Sequence, residues 1–192
     1  MTRAARYTLY GQLLFLGGIT VCAILMPQFL FSADQGGMSN YGTYAKTVIP
    51  FSVAFLGLAA GAIAAARTLP EKTTARKTLY LILMSIGLLM ILATVTTYPY
   101  RLNNTLRIVH IVASQALFFA EIPAALWFWL GPARGKTNHV LFGIYLVGLV
   151  LAGLTTFGSL HVLFVAESLA GIGLGFLMVH STHKLTRREA QS

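Results

Sequence analysis

Charged residues are scarce in this chain, since lysine, arginine, aspartate and glutamate make up only 10% of its 192 residues. A soluble domain carries about 25% charged residues, so the composition excludes an ordinary water-soluble globule. Acidic residues are the rarer of the two charged classes, with five aspartates and glutamates against 14 lysines and arginines. The hydrophobic share of 56% and the mean hydropathy of +0.72 instead predict helices packed side by side in a lipid bilayer.

Cysteine is nearly absent. The single cysteine, Cys22, lies inside an apolar run, which excludes a disulfide framework or a cysteine-based zinc site within one chain. A formal net charge of +9 is also typical of nucleic-acid-binding proteins. Here the basic residues sit in short gaps between apolar runs, where membrane insertion explains them better. We therefore expect no nucleic-acid partner.

Apolar runs of the length that crosses a bilayer, about 20 residues, predict an all-α, polytopic membrane protein of six transmembrane helices. The first run is too long for a signal-peptide core, and no A-x-A-like cleavage site follows it. We expect one transmembrane domain over residues 1–183, followed by a short basic cytoplasmic tail over 184–192. The predicted spans are 7–31, 47–66, 78–97, 108–130, 139–157 and 161–178.

The basic residues predict the orientation of these spans. Eleven of the 14 lysines and arginines fall near the two termini and in the second and fourth gaps between spans. Only Lys46, Arg101 and Arg107 fall on the other side. The positive-inside rule then places both termini in the cytoplasm, which predicts a multi-pass protein of the cell (inner or plasma) membrane.

Ionisable side chains at membrane depth are expensive, and each is a functional hypothesis. Glu121 and Glu167 lie in the fourth and sixth predicted spans, and with His110 they are the candidate catalytic residues. Spacings of four and seven residues put His110, Ser114 and Glu121 on one face of the fourth helix. If the fourth and sixth helices adjoin, Glu121 stands alone at greater depth. The outer half of the bundle then gathers the candidate ligand-binding residues His110, Ser114, Gln115, His161 and Glu167.

The polar residues of the spans also have purely structural interpretations. A buried glutamate also stabilises a bundle by hydrogen bonding to a neighbouring helix, and Pro123 predicts a kink beside Glu121. The GxxxG pair Gly171 and Gly175 permits close approach of a helix, either within the chain or from a membrane-protein partner.

A metal or haem site is a further alternative. His110, His161 and Asp34 are the candidate zinc ligands near the outer surface, and His110 with His161 is the one candidate haem pair. The sequence has no HExxH motif, phosphate-binding glycine loop or GxSxG elbow. We therefore expect no metal and no cofactor.

Two segments carry a family resemblance. Residues 36–61, GGMSNYGTYAKTVIPFSVAFLGLAAG, hold a Ser-Asn-Tyr-Gly motif before the second helix. Residues 98–119, YPYRLNNTLRIVHIVASQALFF, lead from an aromatic-proline loop to a histidine one turn into the fourth helix. This layout resembles a broad group of six-helix membrane proteins. The group includes bacterial proteins of unknown function, the damage-regulated autophagy modulators and the GPI-anchor lipid-remodelling factors.

The resemblance implies an outer-face pocket built by Ser39, Asn40 and His110, and a role near lipid head groups. The chain departs from the group where Asn40 replaces the usual acidic residue and where Ser159-Leu160-His161 replaces a Glu-Arg pair. The resemblance thus favours a lipid-associated membrane protein whose partners are membrane lipids. A non-catalytic subunit of a membrane complex and a small proton-coupled transporter or channel are the alternatives.

Overall fold

The computed structural model describes residues 1–31, 37–69, 73–98, 103–158 and 160–188, and the regular elements in those ranges are all helical. Six of these helices are long and apolar enough to cross a membrane, which makes the chain a multi-pass membrane protein. The six are α1 (Arg3–Leu25), α3 (Val48–Arg67), α4 (Thr74–Thr97), α5 (Asn104–Leu130), α6 (Lys136–Phe157) and α7 (Leu163–Arg188). A 3-10 turn, Pro27–Phe29, and a four-residue helix α2, Ser39–Gly42, separate α1 from α3.

Several helix ends differ from the predicted ones. Helix α1 ends at Leu25 rather than at residue 31, because Pro27 disfavours helical backbone at the residue before it. Helix α5 begins at Asn104 instead of residue 108, since the Asn103 side chain accepts hydrogen bonds from two backbone N–H groups of the first turn. Helix α7 continues to Arg188. Residues 184–188 of the predicted tail are therefore helical, and 189–192 lie outside the described residues.

The spanning helices form an incomplete ring. Helix α1 packs between α3 and α7, α4 packs between α3 and α5, and α6 packs along α7. Helix α5 meets α6 and α7 at few points, so the seam between α5 and these two helices is the loosest in the bundle. The hydroxyls of Thr2 and Thr186 lie 2.6 Å apart, so both ends of the described chain meet at one end of the bundle. We call this the terminus end, and the opposite end, which carries α2, the cap end.

Small residues set the close packing of α1. A side chain at Gly18 would meet the backbone of Pro50 on α3. On its other side α1 packs against α7, where the ring of Phe15 covers Gly171 and the side chain of Gln12 covers Gly175. The Gln12 amide donates a hydrogen bond to the Gly171 carbonyl at 3.3 Å. The helix face offered by the GxxxG pair is therefore filled by α1 of the same chain.

The segment before α3, which contains the Ser-Asn-Tyr-Gly motif, folds back onto the bundle. Tyr41 of α2 is fully buried, and its hydroxyl donates to the Met26 carbonyl at 3.2 Å. Burial raises the pKa of the Tyr41 hydroxyl to about 12, so the hydroxyl keeps its proton as a donor. The Thr47 hydroxyl donates to the Tyr41 carbonyl at 2.6 Å. This cap, residues 37–47, closes the cap end of the bundle.

Candidate functional site

An interior cavity of about 190 Å³ runs from the cap toward the middle of the bundle. All six spanning helices and the cap contribute to its wall, which is mostly apolar. On α7 the wall extends from Ala166 to Met178, a rise of about 18 Å at about 1.5 Å per residue. Among the described lining residues, the polar side chains are Ser39, Thr94, Thr97, His110, Ser114, Glu121 and Glu167.

Helix α5 presents three of these groups on one face. His110, Ser114 and Glu121 all line the cavity, as their four- and seven-residue spacing predicts. The next residue, Gln115, is exposed and does not line the cavity, because one step along a helix turns the side chain by about 100°. The structure therefore does not support Gln115 as a member of the site.

Glu167 connects α7 to the cap. Its Oε2 atom accepts a hydrogen bond from the Met38 backbone N–H at 2.5 Å. The preceding residue, Gly37, has a φ of 50°, and a side chain there would collide with the Glu167 carboxyl. This backbone partner is not apparent from the sequence pattern. The only signal for it is the Gly36-Gly37 pair, which marks a turn without indicating what the turn touches.

His110 is buried between α5 and α4. Its Nδ1 atom lies 2.9 Å from the Ala93 carbonyl oxygen and 3.3 Å from the Thr97 hydroxyl. A carbonyl oxygen only accepts, so Nδ1 carries the proton and donates to Ala93. A neutral imidazole with that proton has its acceptor lone pair on Nε2. The histidine thus ties two helices together and also contributes to the cavity wall.

Glu121 shares the cavity with Glu167, which corrects the expectation that it stands alone. Each carboxyl is close enough to the other to interact electrostatically. Among the residues that the structure describes, none forms a hydrogen bond with the Glu121 carboxyl. Tyr145 of α6 also interacts electrostatically with Glu121. The Tyr145 hydroxyl is buried and has no hydrogen-bond partner within the described ranges.

The remaining predicted site residues lie elsewhere. His161 is exposed ahead of α7 and does not line the cavity, so it does not join His110 in one site. Asn40 is buried in the cap and does not line the cavity, because α2 directs it away while Ser39 faces inward. The Asn40 carbonyl accepts a hydrogen bond from the Thr43 hydroxyl at 2.9 Å. The zinc candidate Asp34 lies outside the described residues.

The described residues provide few groups that bind metals or anions. Within the described ranges, no three histidine, cysteine, aspartate or glutamate side chains cluster closely enough to hold a metal ion. Neither lysine nor arginine appears among the described residues that line the cavity. Among the described lining residues, the ionisable groups are therefore the imidazole and the two carboxyls.

One side of the cavity reaches the loose seam beside α5. Phe118 of α5 lines the cavity, and yet 42% of its surface is exposed on the outside of the bundle. Across the seam, Leu149 and Ala152 of α6 also line the cavity. Gly153 follows on α6 with open space where a side chain would point. Pro123 leaves the Phe119 carbonyl without its usual helical donor, which weakens α5 along this seam.

Comparisons with protein-family models, with curated proteins and with solved structures found no match to this chain. The resemblance to the six-helix group that includes the lipid-remodelling factors therefore stays a prediction.

Proposed function

We propose that this protein binds an amphipathic membrane lipid and holds the polar end of that lipid in the interior cavity. The support is the make-up of the cavity wall, which combines a long apolar surface with a few polar groups from α5, α7 and the cap. Ligand sites are typically apolar cavities with a small number of placed polar groups. The lipids of the surrounding bilayer have a matching make-up, with a long apolar part and a small polar part.

The size of the cavity supports partial rather than complete enclosure. An apolar cavity of about 150 Å³ holds a molecule the size of benzene, so the 190 Å³ available here suits a polar end and a few methylenes. The rest of the lipid then has to lie in the bilayer. The seam between α5 and α6 is the favoured route, because Phe118, Leu149 and Ala152 connect the cavity with the outside there.

The leaflet follows from the charge distribution of the sequence. The positive-inside rule assigns the terminus end to the cytoplasm, and the cap end then faces the opposite side. A lipid bound beside the cap is drawn from the outer leaflet of the cell membrane. His110 and Ser114 on α5, with Ser39 of the cap, are the side chains that we assign to its polar group, together with Glu167.

A matched pair of substitutions on α5 tests the proposal. Ser114→Phe fills the cavity with a ring, whereas Gln115→Phe adds the same ring to an exposed position of the same helix. Each variant is purified in mild detergent, and the retained lipid is quantified by mass spectrometry. We expect the wild type and Gln115→Phe to retain the same stoichiometric lipid, and Ser114→Phe to lose it. Equal retention by all three proteins contradicts lipid binding in the cavity.

Proton-coupled transport is a second candidate, favoured by the two carboxyls that face one cavity. Carboxylates at membrane depth are typical of proton relays, and Glu121 and Glu167 are near enough to interact. The test is a flux assay in liposomes under an imposed pH gradient. Flux that is lost in both Glu121→Gln and Glu167→Gln supports transport. Absence of flux in the wild type, or flux that survives both changes, excludes this candidate.

A further inference from the structure

The charge of the cavity wall restricts which polar groups of a ligand the cavity can hold. The described lining residues include two carboxyls and one imidazole but no lysine or arginine. A phosphate buried at membrane depth needs cationic or multiple N–H partners, because an unpaired buried charge is very costly. Two carboxyls on the same wall add repulsion. The described part of the wall therefore disfavours an anionic group and favours a hydrogen-bond donor.

The Glu121 carboxyl identifies where the donor is needed. The Glu121 carboxyl has no hydrogen bond from the described residues. Buried polar groups in proteins are nearly always hydrogen-bonded. A ligand donor placed between Glu121 and Glu167 would supply the missing bond.

We propose that the lipid bound in this cavity is phosphate-free and places a terminal hydroxyl or amine between Glu121 and Glu167, with its hydrocarbon chain leaving through the seam between α5 and α6. This inference rests on the proposed lipid-binding function and specifies the chemical class of the ligand. Diacylglycerols and long-chain alcohols carry the hydroxyl form of such an end. Long-chain amines carry the cationic form. In phosphatidylethanolamine the amine lies beyond a phosphate, so the phosphate would have to enter the cavity as well.

The experiment is photo-labelling of the wild-type protein in phosphatidylcholine nanodiscs. The probe is a diacylglycerol with a diazirine in one acyl chain, and labelled peptides are mapped by mass spectrometry. Unlabelled diacylglycerol, a long-chain amine and phosphatidic acid with matched chains serve as competitors. We expect labelling on the α5 and α6 segments around Phe118 and Ala152. Diacylglycerol or the amine should compete at a concentration at least about tenfold lower than phosphatidic acid, a difference of about 1.4 kcal/mol.

The competing lipids separate the outcomes. Stronger competition by diacylglycerol than by the amine assigns a hydroxyl end, and the reverse order assigns a cationic end. Equal or stronger competition by phosphatidic acid overturns the inference. Labelling that maps only to the surface groove between α1 and α3, around Leu13 and Ile49, also overturns it. If Ser114→Phe still loses a retained lipid in those cases, the proposed lipid binding stands and only the ligand class is wrong. If the wild type retains no lipid, the proposed function itself fails.

Discussion

The carboxyl group of Glu167, on the last helix, accepts a hydrogen bond from the backbone N–H of Met38, in the cap that precedes α3. This contact joins parts of the chain that are distant in sequence and fixes the cap over the cavity. Replacing Glu167 by alanine leaves the Met38 N–H without that partner. We expect a loss of about 1–3 kcal/mol in the free energy of unfolding, measured by thermal unfolding in a fixed detergent.

Glu121→Ala is the matched control for this change. Glu121 lies on the same cavity and has no hydrogen bond from the described residues, so its removal should leave the unfolding temperature unchanged or raise it. Equal destabilisation by both variants would show that the cap contact of Glu167 has no special role.

Gly37 adopts a backbone conformation that L-residues avoid, with a φ of 50°. An alanine there pays about 1–2 kcal/mol for the left-handed conformation, and its methyl group would meet the Glu167 carboxyl. We expect Gly37→Ala to increase amide hydrogen exchange across the cap. Gly17→Ala, on α1 with no atom near the added methyl group, is the control and should leave the exchange of the cap unchanged. Unchanged cap exchange in Gly37→Ala would contradict this account of the turn.

The GxxxG pair of α7 tests the alternative that this chain is a non-catalytic subunit of a membrane complex. A leucine at Gly175 collides with Gln12 of α1, and overpacking of this kind costs about 1–3 kcal/mol. The same change at Gly143 of α6 meets open space and should be tolerated. If Gly175 instead contacts a partner protein, Gly175→Leu will stay as stable as the wild type when purified alone and will lose a co-purifying protein from native membranes.

Much of this fold follows directly from hydropathy. Spans of about 20 apolar residues are required by bilayer thickness, so all six spanning helices were predictable, with α3 within a residue of its predicted bounds. Helix ends were less predictable, because capping by Asn103 and the break at Pro27 are local effects that a hydropathy window averages out. The spacing on α5 also predicted the shared face of His110, Ser114 and Glu121.

The cap and the meeting of the two glutamates could not be predicted in the same way. Residues 37–47 are short, polar and rich in turn-forming residues, and only the tertiary contacts of Tyr41 and Thr47 make them part of the core. Depth counted along each helix starts from an assumed helix end. Such a count carries no information on how α5 and α7 are offset along the bundle, so it separated Glu121 from Glu167.

The orientation of the bundle gives a labelling prediction. Lys46 is exposed at the cap end and Lys136 is exposed at the terminus end. Single cysteines at these positions, in a Cys22→Ala background, are treated in intact cells with a membrane-impermeant maleimide. We expect Lys46→Cys to react before lysis and Lys136→Cys to react only after it, because the positive-inside rule predicts that the basic terminus end faces the cytoplasm. The opposite pattern would place the cap and its cavity on the cytoplasmic side.

If the interior cavity holds the polar end of a membrane lipid, as we propose, the bound lipid should be visible in a structure. The most direct measurement is a structure of the wild-type protein in nanodiscs made from its native membrane, with an antibody fragment bound to provide sufficient particle size. We expect continuous density that begins between Glu121 and Glu167 and leaves the bundle between Phe118 and Ala152. A cavity that contains only water in that structure, with lipid density confined to the outer surface of the helices, would contradict it.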